Sequence, residues 1–390
     1  MSDNSSVKTI LLFISLIVLV VGLSFISNRI WGGKPEQAAT PKKLIIQAEM
    51  TIVDFGSANE LPNPVLKEIF DLQVKSDLQK KLKEYGTPSQ VASLVTKKLA
   101  LAEEHGSKNW IKILIKFLLW FVFLSAAFIF FRTRKVTLIM RKWFLCASVA
   151  TFGIVLGSDP SPMGTVKDAI HLYASTHAIF PPRMIALAVF LTIVILANKY
   201  ICAWGCQLGT MQDLIFRINQ NHKGKAVLGR QIKLPFVLTN SIRFMFLCVF
   251  TVVAFSWGID IIEPIDPFKI YKPSYLGLAG GIFAGCLLVA SLFFYRPWCH
   301  FFCPFGFVGW LFETKSLVKI NVDYETCIAC QKCASACPSQ VMSAILKQNT
   351  KTIPDCFGCY TCMEVCPTDS IRFSTRKRTL PPAGHFDRKI

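Results

Sequence analysis

Hydrophobic positions in this chain come in long unbroken runs, not at the spacing of a one-sided soluble helix. A hydrocarbon core about 30 Å thick needs about 20 apolar residues in helical form. Six runs approach that length, at 9–26, 110–131, 142–156, 183–201, 243–262 and 275–295. Arg141 and Lys142 shorten the third, and Arg243 interrupts the apolar stretch that leads into the fifth. Between the first two runs the pattern turns polar. After a linker with Gly32, Gly33, Pro35 and Pro41, helix starts are signalled at Asn63-Pro64, Ser76-Asp77 and Thr87-Pro88, and stops at Gly86 and Gly106. Three or four short helices are expected there. Beyond residue 315 the apolar runs cease and a cysteine-rich segment begins. The expected organisation is an anchor at 1–27, a helical module at 28–109, a membrane domain at 110–315, a cysteine-rich domain at 316–375 and a basic tail at 376–390.

Composition agrees with lipid as the solvent. Hydrophobic residues make up 52% of the 390 and charged ones 17%, against about 25% charged in soluble domains. The net charge of +19 suggests nucleic acid in a soluble chain, but here it reports topology, because Lys and Arg collect in cytoplasmic connections. Arg132, Arg134, Lys135, Arg141 and Lys142 crowd one connection; Lys199, Arg217, Lys223, Lys225, Arg230, Lys233 and Arg243 crowd another. The connections 158–182 and 258–272 carry fewer and belong outside, which leaves both termini in the cytoplasm and 28–109 facing out. Residues 24–29 lack a small-x-small cleavage site, so the first run reads as an uncleaved anchor. The outer module holds no cysteine, phosphate loop or nucleophile triad; it either docks a partner or acts as a spacer.

Eight of the 15 cysteines form twin runs, Cys327-x2-Cys330-x2-Cys333-x3-Cys337-Pro338 and Cys356-x2-Cys359-x2-Cys362-x3-Cys366-Pro367. In this two-cluster ferredoxin signature the fourth cysteine of each run ligates the other cluster. One 4Fe-4S cluster is therefore expected on Cys327, Cys330, Cys333 and Cys366, and a second on Cys337, Cys356, Cys359 and Cys362. Zinc sites use paired knuckles rather than such runs, and a reducing cytoplasm disfavours disulfides. The fold expected is an all-α polytopic membrane protein of about six transmembrane helices, with the outer module and a C-terminal α+β ferredoxin-like domain.

Four more cysteines repeat a second pattern. Cys202-x3-Cys206 follows the fourth run and Cys299-x3-Cys303 the sixth, and Cys206-Gln-Leu-Gly-Thr-Met-Gln-Asp-Leu aligns without gaps on Cys303-Pro-Phe-Gly-Phe-Val-Gly-Trp-Leu. A duplicated hairpin places both pairs at one depth near the cytoplasmic surface. The quartet is then a further Fe-S site, a redox or transient-metal thiol site, or inert packing. Cys146, Cys248 and Cys286 stand singly within runs and read as packing. The histidines His105, His171, His177, His222, His300 and His385 all avoid the centres of the runs, so no transmembrane haem pair is available. His171 and His177 in one outer connection, and Glu263 and Asp266 in the other, are candidates for a quinone or outer-loop site; solvated loops are the alternative.

The twin-cluster segment after two CxxxC hairpin ends resembles the NapH/NosR family of membrane polyferredoxins over roughly residues 132–372. That family includes a quinol-dehydrogenase component serving periplasmic nitrate reductase, a nitrous-oxide reductase regulator and a related cytochrome oxidase assembly protein. The resemblance implies a prokaryotic inner-membrane protein relaying electrons between quinones, cytoplasmic donors and outer-side redox subunits, as a quinol-dehydrogenase subunit or, alternatively, as an assembly factor supplying electrons for a partner's metal centre. Gln207 stands where the family has a proline, no covalent-flavin threonine motif occurs, and the module at 28–109 has no counterpart.

Overall fold

The computed structural model describes residues 2–31, 44–133, 137–221, 224–347 and 353–386. The linker residues Gly32, Gly33, Pro35 and Pro41, and with them Arg134, Lys135, His222 and Lys223, lie outside the described residues.

The first apolar run forms helix α1 (Ser2–Trp31), longer at both ends than the run itself. The following module contains α2 (Ile52–Ala58), α3 (Asn63–Phe70), 3-10 turns at Lys75–Gln79 and Leu82–Tyr85, and α4 (Pro88–Ser107). Its own core packs Phe55, Leu66, Phe70, Leu82 and Val95. Thr87 caps α4 as its sequence signals: its hydroxyl accepts from the Gln90 N–H, while the Gln90 side chain accepts from the Thr87 N–H. Gly86 stops the preceding turn with φ of 128°. Gly106 stops nothing, because α4 runs through it to Ser107. Ser76 and Asp77 lie inside a 3-10 turn instead of opening an α-helix. Thr87→Ala is expected to cost about 1 kcal/mol locally, seen as about fivefold faster hydrogen exchange in the first turns of α4; unchanged exchange would deny the cap its role.

The apolar bundle comprises α5 (Trp110–Thr133), α6 (Leu138–Ser148) continued by a π-helical stretch at Val149–Val155, α7 (Pro162–Thr176), α8 (Pro181–Ala197), α9 (Gln207–Ile218), α10 (Phe236–Trp257), α11 (Leu278–Phe293), α12 (Pro297–Phe301) and α13 (Pro304–Glu313). Among the described residues, four helical segments are long and apolar enough to cross a membrane: Ser5–Trp31, Trp110–Arg132, Leu138–Val155 and Phe236–Trp257. Helices α8 and α11 are apolar but shorter; the 16 residues of α11 span about 24 Å. The connection 158–182, expected as an outer loop, is largely helix α7, which packs on α8, α10 and α13.

Each short apolar helix is followed by a chain that turns back into the bundle. Asn198 and Arg296 both take positive φ, 58° and 48°, before a π-helical turn at Ile201–Gly205 in one copy and α12 in the other. Then α9 and α13 return toward the cysteine-rich domain. The hairpins expected of runs three with four and five with six are each continued by a helix that returns alongside the bundle, α9 after α8 and α13 after α11.

The cysteine-rich domain has strands β1 (Lys319–Val322) and β2 (Ile371–Ser374), paired antiparallel from Lys319↔Ser374 to Val322↔Ile371, with short helices α14 (Lys332–Ala336), α15 (Val341–Leu346) and α16 (Thr361–Glu364). The sheet closes the domain by bringing together the two chain ends that flank both cysteine runs. The described part of the tail folds back on it: Arg378 Nε donates to the Ile320 carbonyl, and the His385 and Phe386 rings pack on Tyr324.

Candidate iron-sulfur centres

Cysteines of the two runs lie together. Cys337 lines one cavity with Cys356, Cys359 and Cys362, although its own run is the other one. Burial first, then the neighbouring thiols Cys327, Cys366 and Cys330, push the Cys333 thiol up to about 11. Cys366 is thereby placed beside the three cysteines of the first run. Thiols held this high stay protonated without metal, so iron binding must displace their protons. The two sites differ in exposure: Cys337, Cys356 and Cys362 are buried, whereas Cys327, Cys330, Cys333 and Cys366 are partly exposed.

The second pattern also converges. Cys202, Cys206, Cys299 and Cys303, each at most 8% exposed, line one enclosed cavity with Pro162, Met163, Phe268, Trp298, Phe305 and Phe357. The first motif reaches from the ferredoxin domain, where the Trp204 indole N–H donates to the Gly358 carbonyl at 3.1 Å, into the bundle. Trp120, ten residues inside α5 and about 15 Å along it, donates from its indole N–H to the Gly205 carbonyl at 2.9 Å. Gln207 donates to the Ser158 carbonyl, and its own carbonyl accepts from the Tyr271 hydroxyl at 2.9 Å; both partners belong to the opposite-side connections. The quartet therefore lies inside the bundle against the ferredoxin loop that carries Phe357, and α9 runs from it to Arg217, whose Nη2 meets Thr361 at 3.2 Å.

The two halves are built alike. Cys206 and Cys303 are the N-cap residues of α9 and α13, and the N–H groups of Leu208 and Gly209 aim at the Cys206 sulfur as that of Gly306 does at Cys303. Arg296 Nη1 donates to the Cys202 carbonyl at 2.5 Å, and Arg243 Nη1 to the Cys299 carbonyl at 3.0 Å. A buried carboxylate balances the cations in each half. Asp213 binds Arg217 and Arg296, both at 2.7 Å; Asp355 binds Lys199 at 2.6 Å and Arg243 at 2.8 Å. These groups escape the sequence reading, which counts Lys199, Arg217 and Arg243 as loop charge. The available signal is position: Arg296 lies three residues before Cys299 and Asp355 directly precedes Cys356.

The quartet suits a cubane cluster. The donors are thiols, the set that 4Fe-4S clusters take, with neither a carboxylate nor a histidine lining the cavity. The buried indole Nε1 of Trp298, on the same wall, finds no acceptor among the described residues, and a cluster sulfide is one. Among the described residues no three His, Cys, Asp or Glu converge on a single ion; cubane ligands each hold a different iron, so they need not.

The other sequence candidates separate. His177 is exposed in left-handed conformation, and His171 is half-buried on α7. Neither meets Glu263 or Asp266, which surround buried Lys167: its Nζ lies 2.8 Å from Glu263, 3.1 Å from Asp260, 3.3 Å from Asp168 and 3.8 Å from Asp266. Glu263 and Asp266 are thus members of an ion-pair network rather than of a solvated turn. Burial, opposed by Lys167, pushes the Asp266 carboxyl up to about 7. The folded protein holds that proton more tightly than the unfolded chain, so stability falls as pH rises from about 4 through 7. A protonated-carboxyl infrared band lost near pH 7, and missing in Asp266→Asn, is the expected sign; a band unchanged by the substitution would exclude it. His300 is half-buried against Phe357 and Tyr295 and lines no part of the quartet cavity.

Beside the quartet, Trp110, Phe117, Asp159, Ser161, Asp168, Phe180 and Arg183 line a mainly apolar cavity of about 570 Å³ including its open mouth. Its wall is the first turn of α7: Ser161, Gly164 and Thr165 face this cavity, while Pro162 and Met163 face the cysteines.

Comparisons with known proteins bear on both cysteine patterns. A family model described as a 4Fe-4S dicluster domain matches residues 320–373, and one described as a 4Fe-4S binding domain matches 179–234 and 276–320, the two hairpin ends. The Escherichia coli K12 protein YccM, whose name proposes electron transport, is 32% identical over 216 residues, 52% of this chain and 58% of YccM. Two uncharacterized proteins of Methanocaldococcus jannaschii are 25% and 24% identical, each over 40% of this chain and over 58% and 65% of their own lengths. The chain spans less than two thirds of these relatives. No solved structure matches it. The chain carries 4Fe-4S binding domains.

Proposed function

We propose that this chain is a membrane-bound iron-sulfur electron carrier, exchanging electrons between the ferredoxin domain and a quinone on behalf of a partner redox enzyme. The observation that carries the reading is a shared wall. Phe357, one residue after Cys356, lines both the cavity of the second ferredoxin site and that of the deep quartet.

In this reading Cys327, Cys330, Cys333 and Cys366 hold one 4Fe-4S cluster, Cys337, Cys356, Cys359 and Cys362 a second, and Cys202, Cys206, Cys299 and Cys303 a third, each supplying one-electron chemistry. The partly exposed first site suits a soluble donor or acceptor. Trp298 and Phe305 keep water from the quartet, and Arg243, Arg296 and Lys199 offset the negative charge of a thiolate-bound cluster. The cavity walled by Phe117, Phe180 and Arg183 has the apolar body and few polar groups of a quinone site, with Asp168 and the Lys167 carboxylates beyond it to receive protons. The resemblance to the NapH/NosR family and the name of YccM support the same reading. The inner membrane, with the ferredoxin domain in the cytoplasm and the module 44–107 facing an outer-side partner, is part of the proposal. The enclosure of the quartet favours fixed electron carriage over handing metal to another protein.

Iron and acid-labile sulfide counts on anaerobically purified protein test it. About twelve irons per chain are expected, falling by about four in Cys202→Ser/Cys303→Ser, with the reduced protein giving Fe-S signals by electron paramagnetic resonance. About eight irons in the unaltered protein would remove the deep cluster, and the absence of any dithionite-reducible signal would remove the whole reading.

A further inference from the structure

At the ends of α1 and α5 remote from the ferredoxin domain lies a second cavity, of about 920 Å³ including its mouth. It is lined by Phe25, Asn28, Arg29 and Trp31 of α1, by Lys108, Asn109 and Lys112 at the start of α5, and by Lys272, Ser274 and Tyr275. Four cationic side chains thus face one carboxylate, Asp159. That carboxylate is bound by Lys272, and Lys108 lies 3.7 Å from Glu104 on the module side. Among the described residues neither Arg29 nor Lys112 has a carboxylate at ion-pair distance; Arg29 lies over the Phe25 ring at 4.7 Å and Lys112 over the Trp31 ring at 5.3 Å. The excess positive charge is built in. Asn28 donates to the Tyr271 carbonyl at 3.0 Å, which fixes the end of α1 against the 267–275 turns.

From this the geometry points to a binding site for the phosphate headgroup of an anionic phospholipid, in the leaflet opposite the ferredoxin domain. Basic pockets between membrane helices take anionic headgroups, each cation near the surface adding to the attraction, and Arg and Lys are the side chains that bind phosphate. Position selects a lipid over a free anion. The pocket lies where two apolar helices end, and next to it the same helices expose Ile26 and Ile30 on α1 and Ile111 and Leu114 on α5, a surface for acyl chains. The aromatic rings of Trp31 and Tyr275 stand at the level such residues favour at a membrane interface. The bound headgroup joins the N-terminal helix to the bundle beside Asp159, a residue that this pocket shares with the cavity assigned to quinone.

Full-length protein with its clusters intact, delipidated in detergent, is titrated separately with phosphatidylglycerol, phosphatidylcholine and inorganic phosphate, and the thermal midpoint is followed by tryptophan fluorescence. Phosphatidylglycerol is expected to raise the midpoint by about 5 °C, phosphatidylcholine and phosphate to leave it unmoved, and Arg29→Gln/Lys112→Gln to abolish the increment. An equal response to inorganic phosphate makes the pocket a small-anion site and overturns the proposal. So does an equal response to phosphatidylcholine, or an increment retained in the double variant. Native mass spectrometry of the delipidated, unaltered protein after phosphatidylglycerol is added back decides the matter without a variant: one phosphatidylglycerol bound in preference to phosphatidylcholine supports the site, and no such preference overturns it.

Discussion

Asp355→Ala is expected to destabilise the junction between the ferredoxin domain and the bundle by about 3–5 kcal/mol, the range for removing one partner of a buried ion pair. The carboxylate is fully buried between Lys199 and Arg243, themselves almost fully buried. Burial alone would raise its pKa; the facing charges of Arg243 and Lys199 more than reverse this. Removing it leaves two cations uncompensated. Lys199 also donates to the Gly306 carbonyl at 2.6 Å and Arg243 to that of Cys299, so the loss reaches the quartet as well as the domain contact. The expected result is a lower thermal midpoint and protease cleavage between residues 314 and 318, where the bundle passes into β1. A variant that melts and resists cleavage like the unaltered protein would show that the ion triad does not hold the domains together.

The second large effect is expected at two glycines. A Cβ at Gly209 would lie 2.6 Å from the Cys202 carbonyl oxygen, and one at Gly306 2.7 Å from that of Cys299. Neither oxygen can give way, since Arg296 and Arg243 hold them. Gly209→Ala or Gly306→Ala must therefore push α9 or α13 away from its cysteine turn. Overpacking of this kind costs about 1–3 kcal/mol, but the larger effect falls on the metal site. Loss of about four irons per chain is expected, with the resonance signals of the ferredoxin clusters unaltered. Full iron content in both variants would sever the link between these glycines and the quartet.

Those glycines were visible in the sequence only as a repeat, three residues after each second cysteine; the structure supplies their reason, a carbonyl packed against the first helical turn. The twin cysteine runs were legible because the spacing of ligands is itself the chemistry, and Cys337 does join Cys356, Cys359 and Cys362 around one cavity. Thr87 was legible because a cap is a local hydrogen bond. What stayed hidden depends on distant partners. Arg243 looks like a flaw in an apolar run until Asp355, 112 residues away, is placed beside it. The run 183–201 extends past its helix because apolarity does not record direction: α8 ends at Ala197 and the chain turns at Asn198. The four candidate outer residues were chosen for their chemistry, and Glu263 and Asp266 proved to be partners of Lys167, a contact across 96 residues for Glu263.

The depth of the cysteine quartet has an electrical consequence. In the proposed orientation the ferredoxin sites lie at the cytoplasmic face, and the quartet lies inward of them, across the shared Phe357 wall. An electron passing between them crosses part of the transmembrane field, and a full crossing is worth about 2.3 kcal/mol per 100 mV. The share of that field acting on each transfer is set by how far the quartet lies inward of the ferredoxin sites. The energised membrane, negative inside, then favours electrons moving from the ferredoxin domain toward the quartet and opposes the reverse. In the proposed reading, the hairpins would couple the relay to membrane voltage through the place where they hold four sulfur atoms.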